Sequence, residues 1–422
     1  MDFVSTYLCG YILPFLLIFV GLIFGIRYRF FYILHPIKTF KTILENQRGG
    51  FRSLSLALAG TLGVGNIVGV ASAICAGGYG AVFWMWISAF CAMSLKYAEV
   101  YLAMLFRREK NGEFYGGAPY YIYGGLKKKI NKNFAFFLSC VFAILCVINS
   151  LTTGNLVQIN AVSSLLPLSP LAFGIAFSIL VIIVICGGTK RISSFNSVLI
   201  PVLSVFYVLL CILAIISNIT KIPTSLALIF QGAFSPVSAV SGTLGFGISL
   251  AIRYGVSRGV FSNEAGCGTS PCAHASSGST SPHGQGCLGI FEVFIDTILL
   301  CTLTALVIII SDTQIITNPM NLVLCAFERF FGWFGYYSIA ISSILFAFAT
   351  VCTQFFYGAQ SLTYITAKRP AKLIFSLIFI IILIVGAVIP MELMWQISDL
   401  AIAIMTIFNL ICLIFLFKLT KE

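Results

Sequence analysis

Charge is what this sequence has least of. Asp, Glu, Lys and Arg make up 9% of its 422 residues, where a soluble domain needs roughly 25% to cover its surface. Most of this surface therefore faces something other than water. Acidic residues number 13 and histidines three. Catalysis inside a membrane requires a nucleophile with its base, or a set of metal ligands. The histidines fall outside the apolar runs and no such constellation forms, so an enzyme is not expected. Polar linkers are missing as well. The longest polar segments, near 107–133 and 261–284, are rich in Gly, and no separate soluble domain is expected. Cysteine is plentiful at 14, but nearly all of it lies within apolar runs, where the thiol behaves as a small hydrophobe. Cys267-x4-Cys272-x-His274, with His283 beyond, has the ligand types of a zinc site without the spacing. No metal is expected there.

What the chain has is apolar length. Hydrophobic residues make up 59% of it, and mean hydropathy is +1.03. Runs of about 20 apolar residues suit a bilayer core. Eleven spans are expected, near 9–27, 51–77, 80–106, 134–165, 169–187, 195–217, 238–260, 285–311, 333–360, 372–390 and 393–418. Lipid offers a bare backbone no hydrogen bonds, so spans are helices or a closed barrel. The runs lack period-2 alternation, which excludes the barrel. The fold class is an all-α membrane protein. The first span is expected to be retained. Residues 1–8 carry no Lys or Arg, and no small-residue cleavage site precedes Arg27-Tyr-Arg29.

The formal charge of +12 is a topology signal. Bases follow span one (Arg27, Arg29, Lys38, Lys41, Arg48, Arg52), span three (Arg107, Arg108, Lys110, Lys127 to Lys129, Lys132), span five (Lys190, Arg191), span seven (Arg258) and span nine (Lys368, Arg369, Lys372), and the tail adds Lys418 and Lys421. The intervening loops hold only Lys221 and Arg329. Basic loops stay in the cytoplasm. This places the N-terminus outside, the C-terminus inside and the chain in the cell inner membrane. No stripe of alternating bases and aromatics exists, so nucleic acid is not a partner.

An internal repeat organises the chain. Residues 60–65 read Gly-Thr-Leu-Gly-Val-Gly and residues 242–247 read Gly-Thr-Leu-Gly-Phe-Gly. Five spans separate the copies, an odd number, so the second runs through the membrane in the opposite direction. The expected plan is an inverted repeat of five plus five helices. Residues 1–50 form an extra N-terminal helix and basic linker, 51–220 the first repeat and 221–422 the second. Small residues alone permit close helix packing. Paired interruptions in register instead point to broken helices around a transport site, because freed backbone groups at membrane depth persist only where they line a cavity or bind an ion.

At Gly63-Val64-Gly65-Asn66 the second half-helix begins. Its N-terminus attracts an anion such as a substrate carboxylate, while carbonyls of the first half face a cation, joined by the Asn66 oxygen. At Gly245-Phe246-Gly247, carbonyls face an ammonium and a ring covers a small side chain. Asn155 and Gln158 share a helix face; Gln158 either lines the pocket or bonds a neighbouring helix. Lys96 and Glu99, three apart, read as an ion pair at the cytoplasmic end of span three. Glu292 and Asp296 are carboxylates at membrane depth. Asp296 either binds the coupling ion or bonds another helix. Glu264 is expected at the cytoplasmic rim, latching an inner gate onto a base or capping a helix. Thr350 offers a hydroxyl to a cation or to its own i−4 carbonyl.

Further motifs join these: Gly65-Asn66-Ile-Val-Gly69, Ala81-Val-Phe-Trp84-Met-Trp86, Lys96-Tyr-Ala-Glu99, Gly116-Gly117-x-Pro119, Gly187-Gly-Thr-Lys-Arg191, Gly259-x-Phe261-Ser-Asn263-Glu264-Ala-Gly266 and Phe294-Ile-Asp296-Thr297. Together they resemble the alanine or glycine:cation symporter family of the amino acid–polyamine–organocation superfamily, from about residue 15 onward. The resemblance implies a LeuT-type fold and uptake of a small neutral amino acid driven by Na+ or H+, with no cofactor beyond the coupling cation. It implies substrate contacts at Gly63, Val64, Gly65 and Asn66, near Gln158, and around Gly245 and Phe246. It implies a sodium between the Ala59 and Leu62 carbonyls and Thr350. Asp296, Glu264, Lys96 and Glu99 are coupling or gating candidates. Ala359 stands where the family has a Glu. Two further positions depart from it: Val64 stands where Thr or Ser is common, and Ala349 removes one hydroxyl beside Thr350. They motivate an alternative, the same fold carrying a larger amino acid or a nucleobase. A channel or an intramembrane enzyme is the remaining class.

Overall fold

The computed structural model describes residues 7–45, 47–110, 112–234, 244–314 and 318–420, the side chains of 47–49 and 244–249 excepted. Apart from one hairpin, β1 (Arg108–Lys110) against β2 (Glu113–Tyr115), its regular structure is helical. Helix α1 (Leu13–Arg27) continues a π-helical turn at Leu8–Ile12, and a surface helix α2 (Pro36–Glu45) follows. Next come α3 (Gln47–Thr61), α4 (Val68–Gly77) and α5 (Gly80–Phe106). After the hairpin run α6 (Ala118–Leu126), α7 (Lys132–Leu151), α8 (Val157–Val162), α9 (Pro170–Ile185), α10 (Gly188–Ile216) and α11 (Ile222–Phe234). The rest are α12 (Leu244–Asn263), α13 (Pro271–Ala275), α14 (Pro282–Val293), α15 (Thr302–Ile310), α16 (Pro319–Phe331), α17 (Trp333–Ile365), α18 (Arg369–Gly386) and α19 (Met391–Leu416).

Local chemistry sets these boundaries. Asn131, Ser169, Ser281 and Asn318 accept backbone N–H bonds as N-caps of α7, α9, α14 and α16, which satisfies donors that a helix start leaves free. Proline follows in the first turn of α9, α14 and α16, where its missing N–H costs nothing. Two π-helical segments interrupt long helices: Thr152–Leu156 between α7 and α8, and Phe294–Cys301 between α14 and α15. Such bulges re-aim side chains and cluster at functional sites. Here they carry Asn155 and Asp296.

Eight described helices are long and apolar enough to cross a membrane, and nine if the bent pair Gly50–Thr61 and Val64–Gly77 is one span. Helix α9 is apolar but shorter, and α12 begins where the described residues resume after 234. The most apolar stretches of α5 and α17 are each 78% buried inside the protein, against 22% for α18. So α5 and α17 form the interior, while α18 turns most of its surface to lipid. Helix α5 packs on α1, α11, α12 and α14, and α17 on α3, α7, α10 and α16. Backbones meet most closely between α5 and α11, where a Cβ on Gly80 would lie 2.2 Å from the Gly232 carbonyl.

The segment after α12 differs from the expected polar loop. Glu264, Cys267, Ser270 and His274 are buried. The chain folds back among the helices through left-handed Glu264, Gly266 and Gly268. Arg107 then holds it by donating to the carbonyls of Ala275, Ser277 and Ser279 at 2.7–3.3 Å. Polarity suggested solvent, but bonds to neighbouring helices satisfy the same groups inside.

Candidate functional site

The first glycine interruption is a true break. Half-helices α3 and α4 are bent by 61°, and between them Val64–Asn66 forms a single 3-10 turn. Neighbours press closely on Gly63. A Cβ there would lie 2.6 Å from Gln158 Oε1 and 2.7 Å from Thr350 Oγ1. These two side chains converge on the unwound backbone. The Val64 N–H donates to Gln158 Oε1 at 3.1 Å, and Thr350 Oγ1 donates to the Leu62 carbonyl at 3.4 Å. Gln158 thus serves the break, while Asn155, on the same helix face, donates to the Phe379 carbonyl and ties α18. Ala59 and Leu62 are buried beside the turn.

Asn66 is the second hub. Its Nδ2 donates to Asp296 Oδ1 (2.8 Å), to the Asp296 carbonyl (3.0 Å) and to Ser262 Oγ (3.0 Å). Its own carbonyl accepts from Thr304 Oγ1 at 2.8 Å. The other Asp296 oxygen accepts from Ser262 Oγ and Thr297 Oγ1 at 2.7 and 2.8 Å. One fully buried carboxylate therefore gathers the broken helix, the end of α12 and its own π-helical segment. Asn66 Oδ1 is buried with no hydrogen-bond partner among the described residues. An unpaired buried oxygen is costly, and here it lies beside a carboxylate and an opened backbone turn. This is a cluster of oxygens suited to a small hard cation.

Ser262 and Gln354 are functional candidates that sequence reasoning passed over. Ser262 sits inside the quoted motif around Phe261. Gln354 lies four residues beyond Thr350 on the same face of α17, and that spacing was the available signal. Glu264 is interior rather than at the rim and forms no ion pair among the described residues. Its carboxylate is buried and accepts from Gln354 Nε2 (2.6 Å) and Thr269 Oγ1 (2.5 Å). Lys96 and Glu99 do not pair either. Lys96 Nζ lies 3.2 Å from Glu292 Oε1 and donates to Ser270 Oγ at 2.6 Å. Glu99 accepts from the Gly266 N–H and Asn409 Nδ2. The shared-face argument fails because each side chain finds a better partner on another helix.

His274, expected outside the membrane runs, is fully buried and bonds Glu292 Oε2 and Gln285 Oε1 at 3.0 and 2.9 Å. Arg258, expected as a loop base, is also buried. Its guanidinium pairs with both oxygens of Asp399 on α19, at 2.8 and 3.0 Å, and lies 4.2 Å over the Trp395 ring. Trp395 in turn contacts Phe261, whose ring lies against Gly65. Asp399, an acidic residue inside span eleven, was the available signal for this pair. No cluster of three or more His, Cys, Asp or Glu suited to a metal forms among the described residues. At the second interruption, 242 and 243 lie outside the described residues; Gly245 and Phe246 fall in the first turn of α12, side chains not described.

The sequence profile of the sodium:alanine symporter family matches residues 1–422. The chain belongs to that family. It is 35% identical to an uncharacterized transporter of Haemophilus influenzae over 99% of this chain and 93% of that one. It is 35% identical to the sodium/alanine symporter AgcS of Methanococcus maripaludis, covering 88% of this chain and 82% of AgcS. Among solved structures it resembles a mutant manganese transporter of Eremococcus coleocola, with a TM-score of 0.57 at 14% identity, over 89% of this chain and 79% of that one. That likeness concerns the fold alone. Membership of the family gives the cluster around Asn66 and Gln158 its context: a transporter whose long helices enclose a polar break at membrane depth.

Proposed function

We propose that this chain couples the inward movement of Na+ or H+ to the uptake of a small neutral amino acid such as alanine or glycine, by alternating access. The observation that carries the reading is the break itself: backbone amide, carbonyl, Gln158, Asn66 and Asp296 converge inside the bundle. Gly63, Val64, Gly65, Asn66 and Gln158 bind the substrate, with Gly245 and Phe246 closing the far side. The cation sits between the Ala59 and Leu62 carbonyls, Thr350 and the Asn66 oxygen. Asp296 is the coupling carboxylate, since its bonds reach the broken helix and α12 together. Glu264 and Gln354 link α12 to α17, and Lys96 and Glu99 hold the segment that follows α12 against α5. These linkages let the cation and substrate sites move as one.

In this reading the architecture is an inverted repeat of the LeuT type, with an extra N-terminal helix. Its divisions fall at 1–50, 51–220 and 221–422. Adding α9 and α12 to the nine spans makes eleven. The N-terminus faces outward and the C-terminus the cytoplasm of the cell inner membrane. Binding energy reaches the conformational equilibrium only through contacts that differ between states, and a half-helix hinged at Gly63 supplies such contacts. The decisive experiment is uptake into proteoliposomes across a matrix of small amino acids and cation gradients. Saturable alanine or glycine uptake that follows an inward Na+ or H+ gradient is expected. Uptake of no small amino acid under either gradient removes the reading.

A further inference from the structure

After α1 the chain reverses through Arg29 and Phe30, both left-handed at φ 51° and 45°. Phe30 closes over Gly25, where a Cβ would lie 2.2 Å from the ring. A single turn, Phe31–Leu34, then leads into α2. Along this stretch Ile33, Ile37, Phe40 and Leu44 are exposed by 47, 85, 50 and 48%. Within α2, Ile37, Phe40 and Leu44 follow at spacings of three and four and lie on one stripe; Ile33 belongs to the turn before it. Thr39, on another face, is buried, and α2 packs on α14. A helix of this kind at the foot of a spanning helix lies in the membrane interface, apolar stripe towards the acyl chains.

Beside it is a cavity of about 390 Å³, lined among others by Arg29, His35, Lys38, Thr39, Thr42 and His283. Among the described residues no acidic side chain lines it. Neither Arg29 nor Lys38 forms an ion pair among the described residues. Two unneutralised cations, a turn aimed by left-handed backbone and an adjoining lipid-facing stripe match one chemistry: a phosphodiester carrying hydrocarbon chains. On the inner wall, His283 Nδ1 lies 2.7 Å from the Tyr97 hydroxyl of α5, next to Lys96.

We propose that this cavity is a binding site for the headgroup of an anionic phospholipid, with Arg29 and Lys38 on the phosphate and the acyl chains along Ile33, Ile37 and Phe40. The bound lipid joins the N-terminal helix to α14 and so to the transport core. Free phosphate would meet the same two cations without the stripe, and the test separates the two sources.

Purified full-length protein is titrated with phosphatidylglycerol in phosphatidylcholine nanodiscs, and lipid retention is read by native mass spectrometry. Each cation near an anionic surface is worth roughly five-fold in affinity, so R29Q/K38Q is expected to weaken phosphatidylglycerol retention on the order of 25-fold. R108Q/K110Q removes equal charge from another part of the surface and is expected to leave retention unchanged. Should the double variant fail to fold, K38Q on the exposed helix face carries the same test at about five-fold. Equal loss in both double variants, or undiminished retention in R29Q/K38Q, overturns the site. Displacement of the lipid by millimolar inorganic phosphate overturns the lipid assignment in favour of a soluble anion.

Discussion

Replacing Asp296 with Asn distinguishes a coupling carboxylate from a structural one. Three donors converge on its side chain: Asn66 Nδ2, Ser262 Oγ and Thr297 Oγ1, at 2.7–2.8 Å. A hydrogen bond to a charged group contributes about 1.5–3 kcal/mol and a neutral one about 0.5–1.5. Neutralising the carboxylate therefore forfeits roughly 3–4 kcal/mol across three bonds. It also removes the cost of a charge at membrane depth, about 2.5–3.5 kcal/mol on insertion scales. The terms cancel to within about 1 kcal/mol, because the isosteric amide keeps an acceptor and both hydroxyls can rotate to accept from its N–H2. Asp296→Asn is thus expected to fold with a Tm changed by only a few degrees, yet to lose cation-driven uptake. Asp296→Ala takes the acceptor from the Ser262 and Thr297 hydroxyls, at about 1–3 kcal/mol each, leaves Asn66 Nδ2 with the 296 carbonyl and Ser262 Oγ, and is expected to be strongly destabilised. Thermal unfolding in detergent and gradient-driven uptake in proteoliposomes give the two readouts. Wild-type coupled uptake by Asp296→Asn, or a Tm as low as that of Asp296→Ala, would refute the reasoning.

Gly63→Ala is expected to push Gln158 off the Val64 N–H at a cost of about 1–3 kcal/mol, weakening substrate binding roughly 5- to 150-fold by that energy; an unchanged uptake KM would count against it. Lys96→Met leaves Glu292 buried with, among the described residues, His274 and Ser270 as partners. A loss of about 3–5 kcal/mol is expected, with Lys96→Met/Glu292→Gln recovering part of it in a thermal-unfolding double-mutant cycle. Arg258→Ala strands Asp399 at a site where its side chain is 20% exposed. The expected loss is smaller than for Lys96→Met because water reaches the carboxylate, and equal losses would contradict this ordering. Gln354→Leu removes the donor to Glu264 that links α12 and α17. Uptake is expected to fall while binding of alanine, followed by calorimetry, persists; loss of binding itself would place Gln354 in the substrate site.

The sequence by itself determined the class of fold and the place of the first break. Scarce charge and apolar runs fix a helical membrane protein, because lipid leaves a backbone no other way to satisfy itself. The run Gly63-Val64-Gly65-Asn66 fixes the hinge, because its two glycines let the helix unwind at little cost. Likewise the carboxylates of Glu292 and Asp296 announced themselves inside an apolar run. The partners of the buried charges were decided only in three dimensions. Lys96 shares a helix face with Glu99 but pairs with Glu292, which lies 196 residues away in the chain. Glu264 and His274 sit in a Gly- and Ser-rich stretch that reads as solvent-exposed and is instead interior. Helix periodicity reports which residues share a face of one helix. It carries nothing about which face of another helix will meet them, and in a bundle that meeting is what chooses ion pairs, gates and the walls of a site.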